Sequence, residues 1–303
     1  MSCPKLKLRV ISWLKALQKS EEEIKFPKGF KTYRRHKRVS KNDKYLLPIS
    51  TEEIDRLNYQ HYVLRHQLHA NFTAPVEDSL NRGIKVLDIG CGGGVWTLEM
   101  ARDFPASSFV GIDSEKRYLP QKNIPENCAF VVANTLKLPF PDNEFDYTFQ
   151  RTMLLAYSPP EWIKAVAELI RVTKPGGMVE LSEWDGIIQR PPRNYLKYQN
   201  AWITGTQACG LDFKIAQNIG LFLQDSLIEV TADYVSCPVG WHDRAGELMG
   251  RNMELHRLAM RNYTQPFMDM KDGEYDRWVV AISQELRESK SWINGYYTYG
   301  VKP

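Results

Sequence analysis

The chain has 303 residues, 43% of them hydrophobic and 25% charged, which suits one large globular domain or two small ones with a real core. No apolar run approaches the ~18 residues a membrane-spanning helix needs, and the five cysteines form no CxxC pair. That argues against a disulfide framework or a cysteine-type zinc site and fits reduced thiols in the cytoplasm. The formal charge of +4 is uneven, because residues 1–47 hold 14 Lys/Arg against only Glu21, Glu22, Glu23 and Asp43. The tail is therefore basic and the remainder mildly acidic.

In residues 1–20, Leu6, Val10, Trp13, Leu14 and Leu17 recur at helical spacing among lysines. Three readings stand: a mitochondrial targeting segment, a basic amphipathic helix for a membrane surface, or a loosely docked terminus. Residues 31–41, "KTYRRHKRVSK", read as a nuclear import signal or as a solvated charge run; only Tyr33 interleaves, so a single-strand binder is not indicated. A helix is expected at about 51–69, with Ser50 and Thr51 as caps, Glu52 and Glu53 in its first turn, and an apolar face of Ile54, Leu57, Tyr62, Leu64 and Leu68.

From residue 83 short apolar runs alternate with helical spacing. Strands are expected at 84–90, 108–113, 128–134, 145–151 and 177–185. Helices are expected at 95–104 and 160–174, the second stopped by Pro175 and Gly176-Gly177. This alternation implies crossover units and a doubly wound, mostly parallel α/β sheet. Further on, 193–226 reads as helical, 227–240 as a strand, 243–262 as a helix, and "WINGYYTYGVKP" as an edge strand.

The loop after the first strand is "GCGGG", residues 90–94. In an open α/β sheet ligands bind beyond the carboxyl ends of the strands, and bare glycine backbone permits close approach. The helix from Val95 aims its first amides at the same place. The spacing is Gly90, Gly92, Gly94, with Asp88 two residues ahead, and position 95 is Val rather than the third glycine of the dinucleotide fingerprint. A nicotinamide-dependent oxidoreductase is thereby a distant option. Asp113 ends the second strand about 20 residues on, where an acid can accept from ribose hydroxyls.

The D-x-G-x-G-x-G pattern from Asp88 resembles the first motif of class I S-adenosylmethionine-dependent methyltransferases. "FVVANTLKLPFPDNEFDYTFQR" (130–151) resembles that family's GDA-x-x-LPF-x-x-x-x-FD segment, with Asn134 in place of the aspartate, and "RVTKPGGMVEL" resembles its turn before the fifth strand. The lead-in 45–76, with Leu47, Pro48, Glu53, Arg56, Leu57, Gln60 and His61, is similar to fungal methyltransferases related to regulators of secondary metabolism. The resemblance implies a Rossmann-like methyltransferase domain over 45–303 behind a basic tail at 1–44. Its cofactor-binding core would be 84–185 and its substrate-side elaboration 186–303. It implies S-adenosylmethionine as cofactor, contacted by Asp88, Gly90, Cys91, Gly92, Gly94, Asp113, Ser114, Asn134, Thr135 and Gln150. It implies a small-molecule or protein methyl acceptor, and leaves open a regulator that binds the cofactor and acts through protein partners.

A sulfonium-bound methyl group needs alignment and water exclusion more than a strong base. If the acceptor is a hydroxyl, candidate bases are His61, Tyr62, Tyr157, Glu183 and His242. His61, His66 and His69 share a helix at spacings that do not make one stripe, so no metal site is expected. Nucleic acid is disfavoured as a substrate, because "QRTM" stands where exocyclic-amine methyltransferases place (D/N)PP(Y/F). Trp184, Trp202, Trp241, Tyr296, Tyr297 and Tyr299 suit an aromatic-lined pocket or a core.

Overall fold

The computed structural model describes residues 51–303; the readings on 1–20, 31–41, the tail 1–44 and the cap at Ser50 lie outside the described residues. Helix α1 (Thr51–Leu68) and the short α2 (Glu77–Arg82) lead into strand β1 (Lys85–Ile89). Then follow α3 (Val95–Asp103), β2 (Ser108–Asp113), β3 (Cys128–Val132), β4 (Phe145–Arg151), α4 (Pro159–Val172) and β5 (Thr173–Gln189). The last part comprises α5 (Leu196–Ala208), the single turns α6 (Lys214–Gln217) and α7 (Leu221–Gln224), β6 (Ile228–Pro238), α8 (Arg244–Ala259), α9 (Arg261–Thr264), α10 (Asp272–Glu288) and β7 (Trp292–Val301).

The strands make one sheet in the order β3-β2-β1-β4-β5-β7-β6. Strands β1 to β5 are parallel, and β7 runs antiparallel to both β5 and β6. Side-chain alternation splits the core into two layers. Leu87, Ile89, Val179 and Leu181 pack with Trp162 and Leu169 of α4. Val86, Phe109, Tyr147 and Phe149 pack with Leu80 of α2 and Trp96 and Met100 of α3. Both faces are thus covered, as a parallel sheet requires.

The terminal strand is not an edge. Strand β7 lies between β5 and β6, with Ile293 and Thr298 buried, and the mostly exposed β6 takes the margin. Nor does Pro175-Gly176-Gly177 stop α4. The helix ends at Val172, Thr173 already pairs with Phe145, and the Pro-Gly-Gly stretch is taken into β5 beside a register shift. The expected 193–226 helix breaks into α5, α6 and α7, with Gly210 left-handed at φ 77° between the first two. Helix α10 was not expected, although Tyr275, Val279, Ile282 and Leu286 form a fully buried stripe at helical spacing.

The segment between α1 and α2 is pinned to the sheet by Glu180, which is 1% exposed. Its carboxylate accepts from Thr73 N, Thr73 Oγ1 and Ala74 N at 2.8 Å each and from Tyr147 Oη at 2.7 Å. That anchor holds α1 over the carboxyl ends of the strands, where it packs against α8.

Candidate active site

At the carboxyl end of β1, Gly90, Gly92 and Gly94 all take left-handed φ, at 69°, 53° and 68°. L-residues pay for that conformation. A Cβ on Gly94 would also stand 2.6 Å from the Phe130 ring and 2.8 Å from Pro120, whereas one on Gly92 would meet nothing within 4 Å. Gly94 is therefore fixed by packing, and Gly92 presents open backbone. Asp113 holds the loop in place: its Oδ2 accepts from Gly92 N at 3.0 Å and its Oδ1 from Glu115 N at 2.9 Å. Burial raises the Asp113 carboxyl above its ordinary value, against the pull of those N–H groups.

Asp88 lies behind the loop at 4% exposure, and its Oδ2 accepts from Thr97 Oγ1 at 2.5 Å. Burial pushes it up to about 7, with Thr97 and Arg151 pulling down. The pocket in front of the loop is lined by Asp88, Cys91, Gly92, Trp96, Arg151 and His61, among others. Trp96 stacks flat on Phe149 at 4.2 Å. Arg151 Nη2 donates to His61 Nδ1 at 2.8 Å, so the other ring nitrogen, Nε2, carries the proton and donates to Glu99 Oε2 at 3.0 Å. Burial lowers His61 to about 4, so it is neutral with both nitrogens committed. It orients Arg151 and has no lone pair left for a substrate proton. Arg151 Nη1, and both amide atoms of the fully buried Gln150, have no hydrogen-bond partner among the described residues. Unpaired buried polar groups of this kind call for a polar ligand.

A second pocket adjoins the first, and Leu57, Gln60, Leu64 and Thr152 belong to the walls of both. Thr152 holds φ 58°, a costly conformation for a β-branched residue, and its N–H donates to Ser182 O at 3.0 Å. The far wall carries Trp184, Trp202, Met249, Asn252, Met253 and His256. Glu183 closes its base, accepting from Met153 N at 2.7 Å and Leu154 N at 3.1 Å. Burial lifts its carboxyl to about 8 despite those two N–H donors and Arg151.

The structure brings Asp88, Gly90, Cys91, Gly92, Gly94, Asp113 and Gln150 to the loop end of β1, β2 and β4. Cys91 is a loop residue whose thiol is pushed well up by burial, which makes it a poor nucleophile. Asn134 is exposed and its Oδ1 accepts from Leu136 N at 2.9 Å, so part of its acceptor capacity is already used. Ser114 is exposed beside Asp113. Thr135 is buried and accepts from Tyr157 Oη at 2.6 Å. Tyr157 itself sits edge-on to Trp162 in the core with its phenol pushed up by burial, and so is not placed as a base. Tyr62 lies edge-on to His61 at 5.1 Å, raised by burial first and by Glu99 second. His242 is exposed in the loop before α8, and among the described residues it lines neither pocket. Of the aromatic set, Trp184 and Trp202 line the second pocket, Trp241 lines a separate surface groove, and Tyr296, Tyr297 and Tyr299 are on β7.

Sequence reasoning missed Arg151 and the α8 stripe. Arg151 had a signal, a positive charge at the carboxyl end of β4, where an α/β sheet binds its ligands. Met249, Asn252, Met253 and His256 had one too, the i, i+3, i+4, i+7 spacing of one helix face. Among the described residues no three metal-ligating side chains come together, and no helix is long and apolar enough to cross a membrane.

A parallel five-strand half wound around β1, an antiparallel β7 inserted before β6, and an acid-held glycine loop make a doubly wound, Rossmann-like α/β domain. Residues 86–177 match the methyltransferase domain family, and residues 18–125 match the protein-L-isoaspartate(D-aspartate) O-methyltransferase family. An uncharacterized methyltransferase of Schizosaccharomyces pombe is 34% identical over 113 residues, which is 33% of this chain and 40% of that protein. A demethylmenaquinone methyltransferase of Staphylococcus aureus is 33% identical over 139 residues, 43% of this chain and 54% of that protein. The chain thus spans about half the length, or less, of these curated relatives. Among solved structures, Haemonchus contortus phosphoethanolamine N-methyltransferase 2 in complex with phosphomonomethylethanolamine and S-adenosylhomocysteine is 17% identical. The match covers 84% of this chain and 61% of that one, with a TM-score of 0.48.

Proposed function

We propose that this chain transfers the methyl group of S-adenosylmethionine to a small-molecule acceptor seated in the second pocket. The observation that carries the reading is the common wall: a donor at the glycine loop and an acceptor beside it would meet across Leu57, Gln60, Leu64 and Thr152. When bound, S-adenosylmethionine supplies a methyl group already activated by the sulfonium.

The chain's own residues supply binding, alignment and dryness. Open backbone at Gly92 admits the ligand closely. Asp113 has lone pairs beyond those taken by Gly92 and Glu115, and these suit ribose hydroxyls. The unpaired Nη1 of Arg151, set by His61, suits the ligand carboxylate. Asp88 sits nearby to balance the ligand ammonium. Ser114, Asn134, Thr135 and Gln150 are the residues this reading assigns to the base end. Helix α1 covers both pockets and keeps water from the reacting atoms.

Calorimetric titration with S-adenosylmethionine, S-adenosylhomocysteine and NADH, on wild type and Asp113→Ala, tests the reading. Micromolar affinity for the first two, about −8 kcal/mol, lost in the variant, is expected, followed by turnover in a suitable extract. No binding by the wild type overturns it. Tight binding with no turnover in any extract favours a regulator acting through protein partners.

A further inference from the structure

The second pocket carries polar groups that the fold leaves unanswered. Trp184 Nε1, Trp202 Nε1, Asn252 Oδ1 and His256 Nδ1 have no hydrogen-bond partner among the described residues. Trp202 and Asn252 are 3% and 4% exposed, so solvent does not compensate them. Burying a polar group without a partner is costly, and four such groups from three elements in one cavity mark a recognition surface rather than a packing accident. The placement is also built by small residues: a Cβ on Gly186 would stand 3.1 Å from Trp202 Nε1, and one on Gly295 would stand 2.6 Å from the Trp184 ring. Both indoles thus lie tight against backbone, with their N–H groups fixed.

We propose that this pocket takes an uncharged ring compound bearing a hydroxyl together with a carbonyl or ether oxygen. The identification rests on reading the neighbouring pocket as the methyl-donor site. The two indole N–H groups can only donate, so they ask for oxygen acceptors. Asn252 Oδ1 can only accept, and His256 Nδ1 accepts when its proton is on Nε2, so these two ask for a hydroxyl donor. Indole faces with Met249 and Met253 suit a flat apolar body. Charge complementarity disfavours the alternatives. Burial first, and then Arg56 and Arg257, press His256 toward neutrality, and the field of those two guanidinium groups repels a cationic ligand. Arg56 is already engaged, donating to Gln60 Oε1 at 3.2 Å, and does not offer a clear anion clamp.

Three naphthalene probes test this at pH 7 in the presence of S-adenosylhomocysteine: 6-acetyl-2-naphthol, 2-acetylnaphthalene without the hydroxyl, and anionic 6-hydroxy-2-naphthoate. Saturation-transfer NMR and calorimetry on the wild type should rank the naphthol first, at least about fivefold tighter than either analogue. Asn252→Leu and His256→Phe should erase that preference while leaving S-adenosylhomocysteine affinity unchanged. Equal or tighter binding of the naphthoate, no hydroxyl preference, or no probe binding overturns the proposal. Loss of S-adenosylhomocysteine binding by the wild type, with the probe ranking intact, instead overturns the donor-site reading alone.

Discussion

Two single-methyl additions to the glycine loop separate its structural from its ligand-facing role. In Gly94→Ala the new Cβ meets Phe130 at 2.6 Å and Pro120 at 2.8 Å, at a φ of 68°. The left-handed backbone costs roughly 1–2 kcal/mol and the overlap roughly 1–3 kcal/mol more. At about 2–4 °C per kcal/mol for a chain of this size, Tm should fall by roughly 5–15 °C. In Gly92→Ala the φ is 53° but nothing lies within 4 Å, so the backbone cost of about 1–2 kcal/mol stands alone. Its methyl group, however, enters the space where a ligand would approach. Calorimetry should therefore show S-adenosylhomocysteine binding weakened at least tenfold in Gly92→Ala, about 1.4 kcal/mol, in a protein that melts well above Gly94→Ala. A Gly92→Ala variant with unimpaired binding, or one that melts no higher than Gly94→Ala, refutes the assignment of open and packed sides to the loop.

Arg151→Met should weaken S-adenosylhomocysteine at least tenfold yet change affinity for 5′-methylthioadenosine little, because the latter lacks the carboxylate; equal losses for both would reassign Arg151. Glu180→Ala leaves four donors unanswered, two of them backbone N–H groups, and should cost roughly 3–5 kcal/mol in urea unfolding; a loss under about 1 kcal/mol would contradict the anchoring role. Between pH 6.5 and 8 the unfolded carboxyls are ionised, while Asp88 and Glu183, raised to about 7 and about 8, keep protons in the fold. Stability of the ligand-free protein should thus fall across that window, by roughly 2 kcal/mol, and Glu183→Gln should flatten the fall. Below pH 6.5 His61, lowered to about 4, and His256, lowered to about 3, oppose the trend, because the unfolded chain then binds the extra protons. A urea midpoint that rises from pH 6.5 to 8 would contradict these burial effects.

The sequence by itself determined the parallel half of the sheet and the glycine loop. Those features are local: short apolar runs bounded by turns, which suit strands buried on both faces, and a D-x-G-x-G-x-G spacing with Asp113 a strand away. Tertiary structure decided the rest, because it depends on partners distant along the chain. The order of β7 and β6 is set by pairing Trp292–Val301 with β5 more than 100 residues earlier, which no local pattern encodes. His61 read as a candidate base until Arg151 and Glu99, 90 and 38 residues away, claimed its two nitrogens. Tyr157 read as a candidate base until Thr135 and Trp162 took it into the core. The second pocket likewise exists only because α1, β5 and α8 converge. Side-chain chemistry was legible residue by residue, but whether a lone pair is spent or free is settled by neighbours that only folding brings within 3 Å.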